Sequence, residues 1–269
     1  MVTFLFWNIN KKPLEETIAR LAQRYDIDVL IFAECDIPVV TLLKQLNADS
    51  ARYHFAPTIG CEKISIYTQF SDNLKPVLEP NRLTVRRLSL SGRREILMAA
   101  THFPSKLYWS DSSQASESFE LSSLIREAEG QVGHSRTALV GDLNMNPFED
   151  GMVSANGLHA VMSQGIAQRG SRTVQGKEYP FFYNPMWSYL GDVSAGPPGT
   201  FYYESAQHKT FFWNMFDQIL LRPDLLEFFA AENLIILTSD GDTTFLTTRG
   251  TIDASVASDH LPLLFTLNL

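Results

Sequence analysis

Ten short apolar runs, at residues 3–7, 29–33, 64–69, 83–90, 96–102, 138–143, 200–203, 218–221, 234–238 and 263–267, are separated by turn signals, and this density of strand-like segments restricts the fold more than any other feature. It is too many strands for one Rossmann unit. Several runs alternate, as in Leu83, Val85 and Arg87 against Thr84, Arg86 and Leu88, the pattern of antiparallel strands with one covered and one wet face. Helical spacing is rarer. Residues 13–24 place Leu14, Ile18, Leu21 and Ala22 on one stripe behind Pro13 at the first helical position, and residues 39–46 and 116–129 are similar. The expectation is an α/β protein with two packed sheets and helices outside. No Pro/Gly/Ser linker divides the 269 residues, and the Gly/Pro-rich stretch 191–199 reads as a long loop, so residues 1–269 are expected to form a single domain.

Composition then narrows the function classes. With 45% hydrophobic and 19% charged residues the chain can bury a substantial core, and no low-complexity tract interrupts it. The opening run MVTFLFWNIN lacks a basic segment before its apolar residues, and Lys11 and Lys12 follow it, the reverse of a secretory signal. No run approaches the roughly 20 apolar residues of a membrane helix. Cys35 and Cys61 form neither a disulfide framework nor a zinc motif, so a cytoplasmic protein is expected. A net charge of −8 disfavours a protein that coats nucleic acid but leaves room for a local basic cleft.

The strand ends carry the chemistry. The first run ends on Asn8, the second on Glu34, the fifth on His102, and the sixth on Asp142 with Asn144 two residues further on. In the C-terminal half the order reverses: Asp217 precedes 218–221, and Asp259-His260 precedes the last run. A strand running the other way reaches the same sheet edge with its start. Singly these residues have ordinary readings, Asn8 as a turn residue, Glu34 as a surface turn, His102 as a core histidine and Asp217 as a cap. All of them together are hard to explain that way.

The set Trp7-Asn8, Glu34, Thr101-His102, Gly141-Asp142-Leu143-Asn144, Phe216-Asp217-Gln218-Ile219 and Ser258-Asp259-His260-Leu261-Pro262 resembles the endonuclease/exonuclease/phosphatase superfamily, the fold of DNase I and exonuclease III. The resemblance implies a four-layer α/β sandwich with two mixed β-sheets packed face to face and helices outside. It also implies phosphoester hydrolysis at one sheet edge with a divalent metal, Mg²⁺ or Mn²⁺.

The residue types suit that chemistry on their own terms. A phosphodiester repels hydroxide, so its charge must be neutralised, a nucleophile generated and the leaving oxygen stabilised. Glu34 offers a hard oxygen ligand for Mg²⁺, and Asn8 holds a ligand or phosphate oxygen without adding charge. Asp142 can serve as general base, with Asn144, facing the same way in an extended segment, binding phosphate or orienting the water. A cationic His260 donates to a phosphate oxygen, and the resemblance makes Asp217 its partner and Asp259 a residue of the metal shell. His102 is a second phosphate donor or the general acid. Asn10 stands where some nucleases carry a second acid, which argues against a second metal.

Substrate choice is less constrained. The segment 102–106 replaces the stretch that bears a phosphate-binding tyrosine in exonuclease III-like repair enzymes, with Lys106 as a phosphate contact and Tyr108 and Trp109 close by. The aromatic loops 179–189 and 200–213, interleaved with Arg169, Arg172, Lys177, His208 and Lys209, suit base stacking and a nucleic-acid backbone. A DNA or RNA nuclease is therefore expected, with a phosphatase or phosphodiesterase acting on a small metabolite or lipid headgroup as the alternative.

Overall fold

The structure, a computed structural model, describes residues 1–206 and 208–269. Its N-terminal half runs β1 (Val2–Asn8), α1 (Glu15–Arg24), β2 (Val29–Ala33), α2 (Val39–Leu46), β3 (His54–Phe55), β4 (Ile64–Thr68), β5 (Leu74–Leu78), β6 (Leu83–Leu88), β7 (Ile96–His102) and α3 (Asp111–Val132). There follow β8 (Thr137–Asp142), α4 (Asp150–Val153), β9 (Ala160–Val161), α5 (Gln164–Ala167), β10 (Ser171–Val174), β11 (Lys177–Pro180) and β12 (Phe182–Tyr183). The chain closes with β13 (Phe201–Tyr203), β14 (Phe212–Asn214), β15 (Asp217–Leu221), β16 (Phe229–Ile236) and β17 (Leu263–Leu267).

Two large mixed sheets result, in the orders β16-β17-β1-β2-β4-β3 and β5-β6-β7-β8-β15-β12-β9. Alternation sorts the second sheet's side chains. Ile96, Met98 and Ala100 of β7, Ala138 and Val140 of β8, and Ile219 and Leu221 of β15 join the apolar cluster of β1, β2 and β17 between the sheets. Leu97, Ala99, Leu139 and Leu220, one residue out of phase, instead pack with Leu121, Ile125 and Ala128 of α3 on the outer face. On the first sheet, Ile18, Leu21 and Ala22 of α1 are buried into the inner cluster's continuation. This is the four-layer sandwich expected from the sequence.

All ten apolar runs are strands and all three helical stripes are helices, with informative differences at the ends. Pro13 is not the first helical residue, because α1 begins at Glu15 with Leu14 at its cap position. The helix α3 starts at Asp111, earlier than residue 116, because its first turn is polar and is closed by Ser110, whose hydroxyl accepts from the Ser113 amide. β5 gave no strand signal since Pro76 interrupts it. Proline is tolerated there because β5 is an edge strand. Stretch 191–199 is a loop, as its glycines and prolines indicate.

Strand β8 is central. It pairs in parallel with β7, which sets His102 beside Asp142, and antiparallel with β15, which sets Asp217 beside Asp142 on the other side. Gly141 makes that close approach possible: a Cβ there would lie 2.1 Å from the carbonyl oxygen of Thr101. Gly141→Ala must push β8 away from β7. We expect it to lower stability by roughly 1–3 kcal/mol, read as a reduced urea midpoint at unchanged slope.

Candidate active site

The two sheets end together at a cleft of about 770 Å³ whose lining includes Asn8, Glu34, His102, Lys106, Asp142, Asn144, Asp259 and His260. Each strand delivers its residue by continuing its own alternation. His102 follows Ile96, Met98 and Ala100, Asp142 follows Ala138 and Val140, and Asp217 precedes Ile219 and Leu221, so the inner apolar face turns polar at its edge.

Asp142 is the centre of the array. Its Oδ2 accepts from Asn8 Nδ2 at 2.9 Å, and its Oδ1 accepts from the Asn144 backbone amide at 2.9 Å. The Nε2 atoms of His102 and His260 stand 3.7 Å and 3.9 Å from Oδ2. His102 Nε2 is also 3.5 Å from Glu34 Oε1, so two carboxylates gather around one imidazole nitrogen. His260 Nδ1 hydrogen-bonds Asp217 Oδ2 at 2.7 Å, and Asp217 is fully buried, its amide donating to Thr200 Oγ1.

The electrostatics of this pair follow from the distances. Burial opposes a charge on His260, but the carboxylates of Asp217 and Asp142 outweigh it and hold the imidazolium pKa up at about 10. Burial pushes the Asp217 carboxyl upward while the His260 charge pulls it back. Ligand atoms of Asp142, Asp217 and His260 all lie within 4.8 Å of one another. That trio nevertheless suits a cation poorly, because His260 spends Nδ1 on Asp217 and carries a proton on each nitrogen. Glu34, Asn8 and Asp259 line the cleft and offer the hard oxygen donors that suit a divalent ion better, the Asn8 oxygen also accepting from the Asn10 amide at 3.0 Å.

Asn144 is not in an extended segment. Its φ is +48°, a left-handed conformation, because the strand ends at Asp142 and the Asp142 carboxylate caps the Asn144 amide in an Asx-type turn. Its carboxamide Nδ2 donates to the Phe103 carbonyl at 3.0 Å. Glu34 has φ of +49°, a conformation that a non-glycine residue adopts at a cost and that marks functional positions. Lys106 lines the cleft as expected but is engaged by two acids: its Nζ contacts Glu149 and lies 3.3 Å from Asp111.

Not every support carried a sequence signal. Gln114, fully buried on α3, donates through Nε2 to the carbonyls of Asn144 at 3.0 Å and Pro104 at 3.2 Å, tying the two loops after β7 and β8 together. Asn146 accepts from the Met215 amide and donates to Asn214 and Glu149. Trp7 Nε1 donates to the His260 carbonyl, and Ser258 Oγ donates to the Asn8 carbonyl and accepts from the His260 amide. Trp7 and Ser258 stand within motifs that the sequence displays, so of these supports only Gln114 and Asn146 lacked a signal. The basic residues Arg169, Arg172 and Lys177 lie on or next to the separate β10–β11 hairpin and do not line the cleft, whereas Lys209 does.

An array of carboxylates, carboxamides and imidazoles thus stands at the joint edge of two packed mixed sheets. The chain belongs to the endonuclease/exonuclease/phosphatase family, whose model matches residues 5–260. The structure is similar to the endonuclease domain of TRAS1, a telomere-specific non-LTR retrotransposon, at 15% identity and a TM-score of 0.54, covering 100% of this chain and 99% of that one. It is similar to the human Nocturnin catalytic domain with bound sulfate anion, at 15% identity and a TM-score of 0.55, covering 98% and 93%. Truncated Caenorhabditis elegans TDP2 matches at 16% identity with a TM-score of 0.57, covering 99% and 97%. No curated protein sequence matches the chain. At these identities the likeness is one of fold.

The ion pair makes a stability prediction. A histidine with a raised folded pKa contributes stability that is fully present below its unfolded value of 6.5 and is lost as pH rises through about 10. Asp217→Asn removes the main charge that raises it. Urea unfolding of both proteins in EDTA should show the largest stability difference at pH 6 and a progressively smaller one toward pH 10; a constant difference would contradict the pairing.

Proposed function

We propose that residues 1–269 act as one domain, a divalent-metal-dependent phosphodiesterase that hydrolyses nucleic acid. The observation that carries this reading is the Asp142 carboxylate, fixed by Asn8 and the Asn144 amide and flanked by two imidazoles at 3.7 and 3.9 Å. Mg²⁺ or Mn²⁺, when bound, supplies charge neutralisation at the phosphate, and Glu34, Asn8 and Asp259 are the residues that would hold it.

The chain's own residues account for the proton movements. Asp142 accepts one proton of the attacking water, and the remaining hydroxyl forms the new bond to phosphorus. The bond from phosphorus to the leaving oxygen breaks, and in this reading His102 gives that oxygen a proton. His260, cationic at neutral pH, donates from Nε2 to a phosphate oxygen and stabilises the charge that develops there, while Asp217 fixes its ring. Asn144 positions substrate through its turn, and Lys106, released from Glu149, offers a further phosphate contact. Cys35 and Cys61 as free thiols support a cytoplasmic setting, and among the described residues no helix is long and apolar enough to cross a membrane.

One observation favours a second reading, a phosphatase or phosphodiesterase acting on a small metabolite or lipid headgroup. Asp111, Glu149 and Asp150 line the cleft and two of them engage Lys106, a poor environment for a long polyanion. Plasmid DNA, single-stranded DNA, RNA and a phosphomonoester panel separate the two readings.

Two outcomes test the mechanism. Activity should disappear in EDTA and return with added Mg²⁺ or Mn²⁺; full activity in metal-free buffer would overturn it. Asp142→Asn should reduce kcat by about 10²-fold or more with KM unchanged or lower, whereas Glu34→Gln should be partly rescued by excess metal. Rescue of Asp142→Asn and not of Glu34→Gln, in a metal titration of both, would exchange the roles of base and ligand.

A further inference from the structure

The cleft has a second pole that the hydrolytic array does not use. Phe148, after β8, and Phe211, before β14, line it while remaining 40% and 47% exposed, and their rings meet edge to face at 5.4 Å between centroids. Tyr203, on the paired strand β13, lines the same cleft and is 50% exposed. Phe201 joins this pole to the phosphate site, stacking on Phe216 and lying 4.8 Å from the His260 ring. These rings come from segments about 60 residues apart in the chain, so local sequence does not explain their meeting. Half-exposed aromatic faces are left over by the core and stand open in the cleft that His260 also lines.

The charges around this pole restrict what can occupy it. Asp111, Glu149 and Asp150 share the cleft, and Lys106 is engaged by the first two, leaving Lys209 as a cation beside the rings, its Nζ 5.5 Å from the Phe211 centroid. A second and third phosphate on that side would meet carboxylates. A planar, uncharged group attached to a single phosphate meets ring faces instead.

We infer that Phe148, Phe211 and Tyr203 form a subsite for one unpaired nucleobase, adjoining the scissile phosphate held by His260. The inference rests on the phosphodiesterase reading and specifies its substrate: nucleotides at single-stranded or terminal positions, since bases inside a duplex are already stacked and their flanking phosphates would lie against the acidic side.

Three p-nitrophenyl esters sharing one leaving group test it: thymidine 5′-(p-nitrophenyl phosphate), methyl p-nitrophenyl phosphate and hexyl p-nitrophenyl phosphate. The protein should prefer the thymidine ester. Phe211→Ala should lower kcat/KM for that ester by roughly tenfold to a hundredfold, the scale of base–aromatic stacking, and change the methyl ester less than about twofold. Phe211→Trp should restore the thymidine ester. Equal loss on the thymidine and methyl esters, or a loss on the hexyl ester as large as on thymidine, would overturn the subsite as one for bases. Hydrolysis of none of the esters by the unaltered protein in Mg²⁺ would remove the phosphodiesterase reading. Calorimetric titration with thymidine 5′-monophosphate then decides the subsite separately: weaker binding to Phe211→Ala upholds it, and unchanged binding removes it.

Discussion

The double pairing of β8 is the constraint on which the rest depends. Its ladders to β7 and β15 place His102, Asp142 and Asp217 abreast, and a slip of one residue on either side would turn one of these side chains into the apolar layer under α3. Register is costly to change here because both faces of β8 are buried. Ala138 and Val140 are committed to the inter-sheet core and Leu139 to the α3 side, so the apolar packing holds the polar edge in place. Gly141 lets this arrangement close, since any side chain would collide with the neighbouring strand's carbonyl.

A polar cluster at the end of an apolar layer is electrostatically expensive, and the site offsets that in several ways. The Asp217–His260 pair compensates one buried carboxylate, with Thr200 and Phe201 completing its surroundings. Asp142 is satisfied by an amide side chain and a backbone amide, neutral donors that leave its charge in place. Glu34, partly exposed and held in a left-handed conformation, has no such donor among the described residues, and this asymmetry distinguishes the two carboxylates. The left-handed turn at Asn144 is braced by Gln114 on α3, whose Nε2 donates to the Asn144 carbonyl.

The acidic balance of the chain acquires meaning only at the cleft. A net charge of −8 distributed evenly would say little about substrate, but Asp111, Glu149 and Asp150 line the cleft while Arg169, Arg172 and Lys177 stay away. Cations that looked like a backbone track in the sequence are thus separated from the site. Phe201, Tyr203 and Phe211 of the 200–213 segment do reach the cleft, where β13 and β14 pair as a hairpin anchored by Asn146 at Asn214 and Met215.

The sequence by itself determined the ten principal strands, which of their faces is apolar and which polar residues stand at their ends. Those properties follow from period-two alternation and from strand direction, both local, and so Asn8, Glu34, His102, Asp142, Asp217, Asp259 and His260 were legible as one set before any pairing was known. Tertiary structure alone decided the left-handed turn at Asn144, the engagement of Lys106 by Glu149 and Asp111, the bracing by Gln114 and Asn146, and the meeting of Phe148 with Phe211. Each of these joins segments remote in the chain through side chains of ordinary type. No local periodicity encodes such a distance; it is set by how the sheets pack and how the loops between them close.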